Sequence, residues 1–300
     1  MPVVLDKLYE LLRTLAYLFR YATWQLRRRL STDWVVNTRF GKFRILATDR
    51  VIGVILHVIR AYDTEKLAGV AAFLKRERLI PDDDAAVMLD IGANNGVIGI
   101  QAIKMGIAKR AVAIEPEPVN FELLQSNIAL NDLGSAVQSV QCAVALEETE
   151  VTFELDPDNT GDHRVRMPEA GDGRFDEQLR QVIKVRARPL DHILAGLHSK
   201  WAPDIQLCWM DIQGFEAFAI ESGVSVFARG VPTVVEVWPY GIKRAGCSLE
   251  RFVGVVLRHW THYHQLDDPA FEAHPVTELP TLLASLGDAG PFTDLLLVRR

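Results

Sequence analysis

Met88-Leu-Asp-Ile-Gly-Ala-Asn-Asn-Gly-Val-Ile-Gly-Ile100, or MLDIGANNGVIGI, is the stretch whose reading decides the fold. An apolar run ends at Ile91, a glycine turn follows, and helical spacing starts near Gly96. That order makes a buried strand feeding a helix, and ligands of such sheets bind at the carboxyl ends of the strands. Gly92 and Gly96 let a ligand approach the backbone, and the helix start offers free N–H groups. The spacing is not the G-x-G-x-x-G of dinucleotide sites. Asp90 at the strand end would repel a pyrophosphate, yet it could attract the ammonium end of an amino acid.

The next strand narrows the ligand. Ala111-Val-Ala-Ile-Glu115 ends in an acid nineteen residues after Gly96, where a carboxylate accepts hydrogen bonds from ribose hydroxyls. The two acids together describe an adenosyl ligand with a cationic amino-acid tail and no pyrophosphate, which S-adenosylmethionine satisfies. The plainer reading makes Asp90 a helix cap and Glu115 a surface acid.

Outward from this unit, short apolar runs alternate with helical patterns. Val87–Ile91, Ala111–Ile114, Val137–Cys142, Ile205–Met210 and Val231–Val237 read as buried strands. Gly96–Met105, Pro118–Asn131 and Phe215–Ser222 read as helices between them. The alternation gives an α/β doubly wound, Rossmann-like sheet, mostly parallel. The tail run Phe292–Arg299 suits an antiparallel edge strand. Residues 156–181 break the rhythm with Asp, Gly, Arg and Pro, a polar insertion expected to be functional or disordered.

Ahead of this domain (residues 85–300), residues 31–84 read as a hairpin around Gly41, a helical stretch over 50–79, and a turn at Pro81–Asp84. Residues 1–30 form an amphipathic helix with Leu5, Leu8, Leu11, Leu12, Leu15, Leu18 and Phe19 at helical spacing. This segment carries +4 and the remainder −10. Acids and arginines interrupt any span of roughly 20 apolar residues or signal-peptide core. The helix packs on the domain or on a second subunit, or it rests as a peripheral contact on an anionic membrane surface.

The net charge of −6 argues against a nucleic-acid partner. Three scattered cysteines without C-x-x-C give no disulfide framework and fit a reducing cytoplasm. His262 and His264 share a strand face, but no third metal ligand is well spaced, so no metal is assigned.

DIGANNG, AIEPEPVNFELLQSNIALN, RPLDHIL, MDIQGFEAFAIESG and PTVVEV, in this order over roughly residues 60–240, resemble the successive blocks of the FkbM-type methyltransferase family. The resemblance implies a class I methyltransferase fold and S-adenosylmethionine-dependent transfer of methyl, mostly to hydroxyl oxygens of sugars, polyketides or other metabolites. It implies that Asp90, Gly92, Asn94, Gly96 and Glu115 line the cofactor site, together with Ala93, Asn95 and Pro116 of the same blocks, with Cys142-Ala143 near the adenine. Gln213 stands where many relatives have Glu.

The acceptor is then a small molecule, glycan or glycolipid. Asp211, at the end of a strand beside the same crevice, is the leading active-centre residue, or else a helix cap. Glu216 starts the following helix and either serves catalysis or suits a helix N-terminus. Glu236 binds the acceptor or meets a lysine. His163 is a base if the polar insertion covers the crevice, and otherwise a solvated loop histidine. The alternatives are an NAD-dependent oxidoreductase and a membrane-associated binding protein that keeps the fold without turnover.

Overall fold

The computed structural model describes residues 2–80, 86–167, 173–197, 201–288 and 290–300, with side chains from residue 11 onward. The turn expected at Pro81–Asp84 and part of the polar insertion lie outside the described residues.

Helix α1 (Pro2–Arg27) leads into the antiparallel hairpin β1 (Asp33–Thr38) and β2 (Gly41–Leu46), in register Thr38↔Gly41. The stretch over 50–79 is two helices, α2 (Ile52–Val58) and α3 (Thr64–Arg76). Arg60 and Asp63 take positive φ between them, which a continuous helix does not allow.

The main domain then runs β3 (Val87–Ile91), α4 (Val97–Lys104), β4 (Arg110–Ile114), α5 (Pro118–Leu130) and β5 (Val137–Val140). Glu117 caps α5 by accepting the Asn120 N–H, and Pro118 sits in the first turn, where its absent N–H costs nothing. The apolar run expected as one strand to Cys142 divides here. β5 stays in the central sheet, and Ala143–Val144 becomes β6 of a second sheet.

That second sheet is completed by β7 (Thr149–Leu155), β8 (Arg164–Val165) and β9 (Gln181–Arg188), ordered β6-β9-β7-β8. The chain continues through α6 (Leu190–Ala195), β10 (Ile205–Met210), α7 (Glu216–Ser222), α8 (Val224–Phe227) and β11 (Thr233–Val237). It ends with α9 (Pro239–Arg244), α10 (Leu249–His259), β12 (His262–Gln265), β13 (His274–Pro275), α11 (Leu279–Leu286) and β14 (Thr293–Val298).

The central sheet is ordered β13-β12-β14-β11-β10-β3-β4-β5. From β5 to β11 the strands are parallel, and β14 runs antiparallel to β11. The tail strand is therefore antiparallel as expected but interior, because β12 pairs with its other side. Its Leu295, Leu296, Leu297 and Val298 are all fully buried, a two-sided burial that an edge does not provide.

Alternate strand residues supply the two faces of the core. Leu89, Ile91, Met210 and Val235 pack with Ile220 and Phe252 of α7 and α10. Met88, Trp209 and Val234 pack with Val70 and Leu74 of α3 and with Phe43 of the hairpin. Each such buried aliphatic side chain contributes about 1.5–3 kcal/mol. Strand order reverses between β3 and β10, which opens a crevice at their carboxyl ends.

Candidate active site

At that reversal Asp211 donates its N–H to Ile91 O at 3.0 Å, so the two strand ends are locked side by side. Gly92 turns away there with φ +83, and a Cβ on it would lie 1.9 Å from Asp211 O. Only glycine permits both the left-handed backbone and this approach. The crevice is a cleft whose free space, counted with the open solvent at its mouth, is about 920 Å³.

Asp90, Gly92, Ala93, Asn94, Glu115, Pro116, Cys142 and Ala143 line the cleft, together with Asp211 and His163. Asn95 and Gly96 stand behind this wall. Asn95 Oδ1 accepts from Val97 N–H at the start of α4, and Gly96 is the left-handed residue from which α4 begins.

Asp90 is fully buried, and its Oδ2 accepts the Gly99 N–H at 3.0 Å. It therefore holds the first turn of α4 while also facing the cleft. Burial pushes its carboxyl up to about 7, with the Gly99 bond opposing. Glu115 is buried too. Its Oε2 accepts the Asn94 N–H and its Oε1 the Glu117 N–H, both at 2.8 Å. Each carboxylate oxygen has a second lone pair, so two hydroxyl donors remain accommodated. Burial pushes Glu115 up to about 8. Cys142 is buried, and its thiol is pushed up to about 11 by that burial, so it is neutral at physiological pH.

The polar insertion is folded where it is described, and it reaches the cleft through Thr160, Gly161 and His163. Asn94 Nδ2 donates to Thr160 O at 2.8 Å, and Asn120 Nδ2 to the same oxygen at 3.2 Å. Thr160 Oγ1 donates to Asp49 Oδ2 at 2.9 Å. Behind it lies an ion network. Arg164 hydrogen-bonds Asp162 at 2.7 Å and ion-pairs with Glu177 at 3.0 Å, and Arg166 hydrogen-bonds Glu154 at 2.8 Å. Arg180 bonds Asp156 and Asp162, each at 2.6 Å, and Arg244 bonds Glu177 at 2.6 Å. Four arginines meet four acids, which is why so polar a segment is ordered.

This placement bears on the expected base role of His163. Its Nδ1 accepts the Asp156 N–H at 3.0 Å, which leaves the proton on Nε2. Burial holds the ring down to about 4. The ring is therefore a neutral N–H donor, and taking up a proton would require breaking the Asp156 bond. With Nδ1 occupied by Asp156, the nitrogen left over is a donor, and a base role would need that bond released.

Glu216 opens α7. It is fully buried outside the cleft lining, and its Oε1 accepts from Ile212 N–H at 3.1 Å and Gly214 N–H at 3.2 Å. It clamps the turn after β10. Asp211 is half-buried at the cleft wall, and burial raises it to about 7. Its Oδ1 accepts from Gln213 Nε2 at 2.7 Å, and the same amide donates to Glu236 Oε1 at 3.0 Å. Gln213, with φ +55, thus bridges two carboxylates with one NH₂ group.

Residues the sequence did not single out also line the cleft, among them Tyr62, Asp63 and Asn120. Tyr62 and Asp63 come from the break between α2 and α3, and no local pattern announced them. His264 instead belongs to the core. Its Nδ1 pairs with Phe271 O at 2.9 Å, and its ring stacks on Phe271.

Residues 90–257, more than half of the chain, match the Methyltransferase FkbM domain. The methyltransferase sdnD of Sordaria araneosa is 27% identical over 180 residues, covering 52% of this chain and 68% of that protein. Among solved structures, a methyltransferase FkbM from Methylobacillus flagellatus KT is 17% identical with a TM-score of 0.43, and the match covers 74% of this chain but 46% of that one. A tRNA m1G37 methyltransferase from M. jannaschii is 12% identical with a TM-score of 0.41, covering 90% of this chain and 57% of that one. The family match begins at Asp90, at the end of β3, and takes in Glu115 and the β10 turn with Asp211, and on it the chain belongs to the FkbM methyltransferase family.

Proposed function

We propose that this chain is an S-adenosylmethionine-dependent O-methyltransferase, acting on a hydroxyl of a sugar, polyketide, glycolipid or other small metabolite. The observation that carries the reading is that Asp90 and Glu115, buried at adjacent strand ends, share one cleft with Asp211. The Gly92 turn leaves no Cβ in the way, Glu115 retains lone pairs for two ribose hydroxyls, and Asp90 offers a counter-charge to an ammonium group. When bound, S-adenosylmethionine supplies an electrophilic methyl group. Among the described residues, no lysine or arginine lines the cleft, whereas Asp63, Asp90, Glu115 and Asp211 do. Such a wall disfavours a pyrophosphate, hence a dinucleotide, and favours a neutral or cationic acceptor.

Asp211 would take the proton of the acceptor hydroxyl. Burial raises its carboxyl above the ordinary carboxylate range, which favours holding the proton once received. Gln213 fixes its orientation, and the Nε2–H of His163 would orient the acceptor by donation. Holding the acceptor in line is worth about 7–11 kcal/mol of barrier, more than a base adds. Incubating the protein with methyl-labelled cofactor and cell extract, then locating the label by mass spectrometry, tests this. Label on a hydroxyl oxygen is expected; label on nitrogen or carbon contradicts O-methylation.

A further inference from the structure

The contacts that tie helix α1 to the body include a cluster near its carboxyl end. Trp24 is buried, with its ring edge-on to Trp34 at 5.0 Å. Trp34 Nε1 donates to His57 Nδ1 at 3.0 Å, and Thr23 Oγ1 pairs with His57 Nε2 at 3.1 Å. Arg20 donates to Val58 O at 3.1 Å. At 3.6 residues per turn, these contacts define one face of the helix.

The opposite face has no partner among the described residues. Leu11, Leu12, Leu15, Leu18 and Leu26 are between 52 and 59% exposed, and Phe19 is 71% exposed. They occupy about a third of the helix circumference. A stripe that wide, facing away from the domain, is more than scattered surface apolarity.

We propose that α1 lies in the interface of an anionic lipid bilayer, with this stripe embedded and the chain's acidic body held away from it. Three observations favour lipid over a second copy of the chain. The segment carries +4 against −10 for the rest, with Arg27, Arg28 and Arg29 closing its carboxyl end, so its charge complements anionic headgroups. A two-stranded coiled coil uses a narrow seam such as Leu12, Leu15, Phe19 and Leu26, flanked by paired charges. Here Leu11 and Leu18 stand where the flanking charges would be, which widens the seam into a lipid-type face. No helix among the described residues is long and apolar enough to cross a membrane, so the helix lies along the surface. The anchor to α2 carries this surface to the cleft, because Ile52 at the start of α2 lines it.

Vesicle flotation of the full chain tests the proposal. Flotation is expected with phosphatidylcholine vesicles containing phosphatidylglycerol, severalfold less in molar salt, and little with phosphatidylcholine alone. The double variant Leu15→Glu/Phe19→Glu, altered only at exposed positions, should float at least tenfold less with an unchanged unfolding midpoint. The proposal is overturned if the wild type stays unbound, floats equally with both vesicle types, or floats no better than the double variant. It is equally overturned if light scattering finds a dimer that the double variant dissolves while vesicle binding is absent.

Discussion

At the residue scale, the proposed cofactor site rests on Glu115 and the acceptor site on Asp211, and the two give different losses on substitution. Glu115→Gln keeps the shape but removes the charge that ribose hydroxyls donate to. A hydrogen bond to a charged group is worth about 1.5–3 kcal/mol, so S-adenosylhomocysteine affinity by calorimetry should fall about 10–150-fold. Asp211→Asn should leave that affinity within a fewfold of wild type and lower kcat by about 10²–10⁴. A loss of cofactor affinity instead would show that Asp211 belongs to the donor side. Gly92→Ala must move Asp211 O, which a Cβ would approach to 1.9 Å. It should abolish binding and cost about 1–3 kcal/mol for the left-handed backbone alone.

At the scale of elements, the insertion is held over the cleft by charge pairing, with Val165 and Met167 packed on the apolar core. Glu154 is wholly buried and accepts from Arg166 at 2.8 Å, with Arg164 at 3.4 Å. Removing one partner strands buried charge, so Glu154→Ala should destabilise by about 3–5 kcal/mol in urea unfolding. A loss below 1 kcal/mol would mean that the network is solvated. This element also marks where sequence reasoning stops. β3 was legible to the residue because a run buried on both faces is continuously apolar. The insertion looked formless because Arg164 and Arg180 find their acids through folding, at separations up to 24 residues. Glu216 stayed ambiguous for a related reason. An acid opening a helix has the same signature whether it faces a cleft or, as here, hooks back onto Ile212 and Gly214. The position of β14 was equally hidden, since apolarity reports burial and not which strand lies beyond.

At the scale of the molecule, burial raises Asp90, Asp211 and Glu216 to about 7 and Glu115 to about 8. The folded chain therefore binds more protons than the unfolded chain above the ordinary carboxylate range, and that stabilisation is lost as pH rises through the folded values. Histidines held low, such as His57 and His163 at about 4, act oppositely, but only below about pH 6.5. Between about pH 6.5 and 8 the carboxyls alone decide, so the ligand-free protein should lose stability as pH rises, measured by denaturant titration at fixed salt. A flat or rising profile would contradict these burials. Cofactor binding carries the complementary sign. Donors that require ionised Glu115 release its proton, so affinity should rise by up to about tenfold per pH unit between pH 6 and 8.

The central claim is that the Gly92 turn, Asp90 and Glu115 form an adenosyl site that takes a cationic amino-acid tail and refuses a pyrophosphate. Thermal unfolding with and without S-adenosylhomocysteine, against NADH as control, tests it most directly. At a hundred times its dissociation constant S-adenosylhomocysteine should stabilise by about 2.7 kcal/mol, with no shift from NADH and a much weaker one in Glu115→Gln. A folded protein that S-adenosylhomocysteine leaves unshifted at saturating concentration, or that NADH stabilises instead, would contradict it.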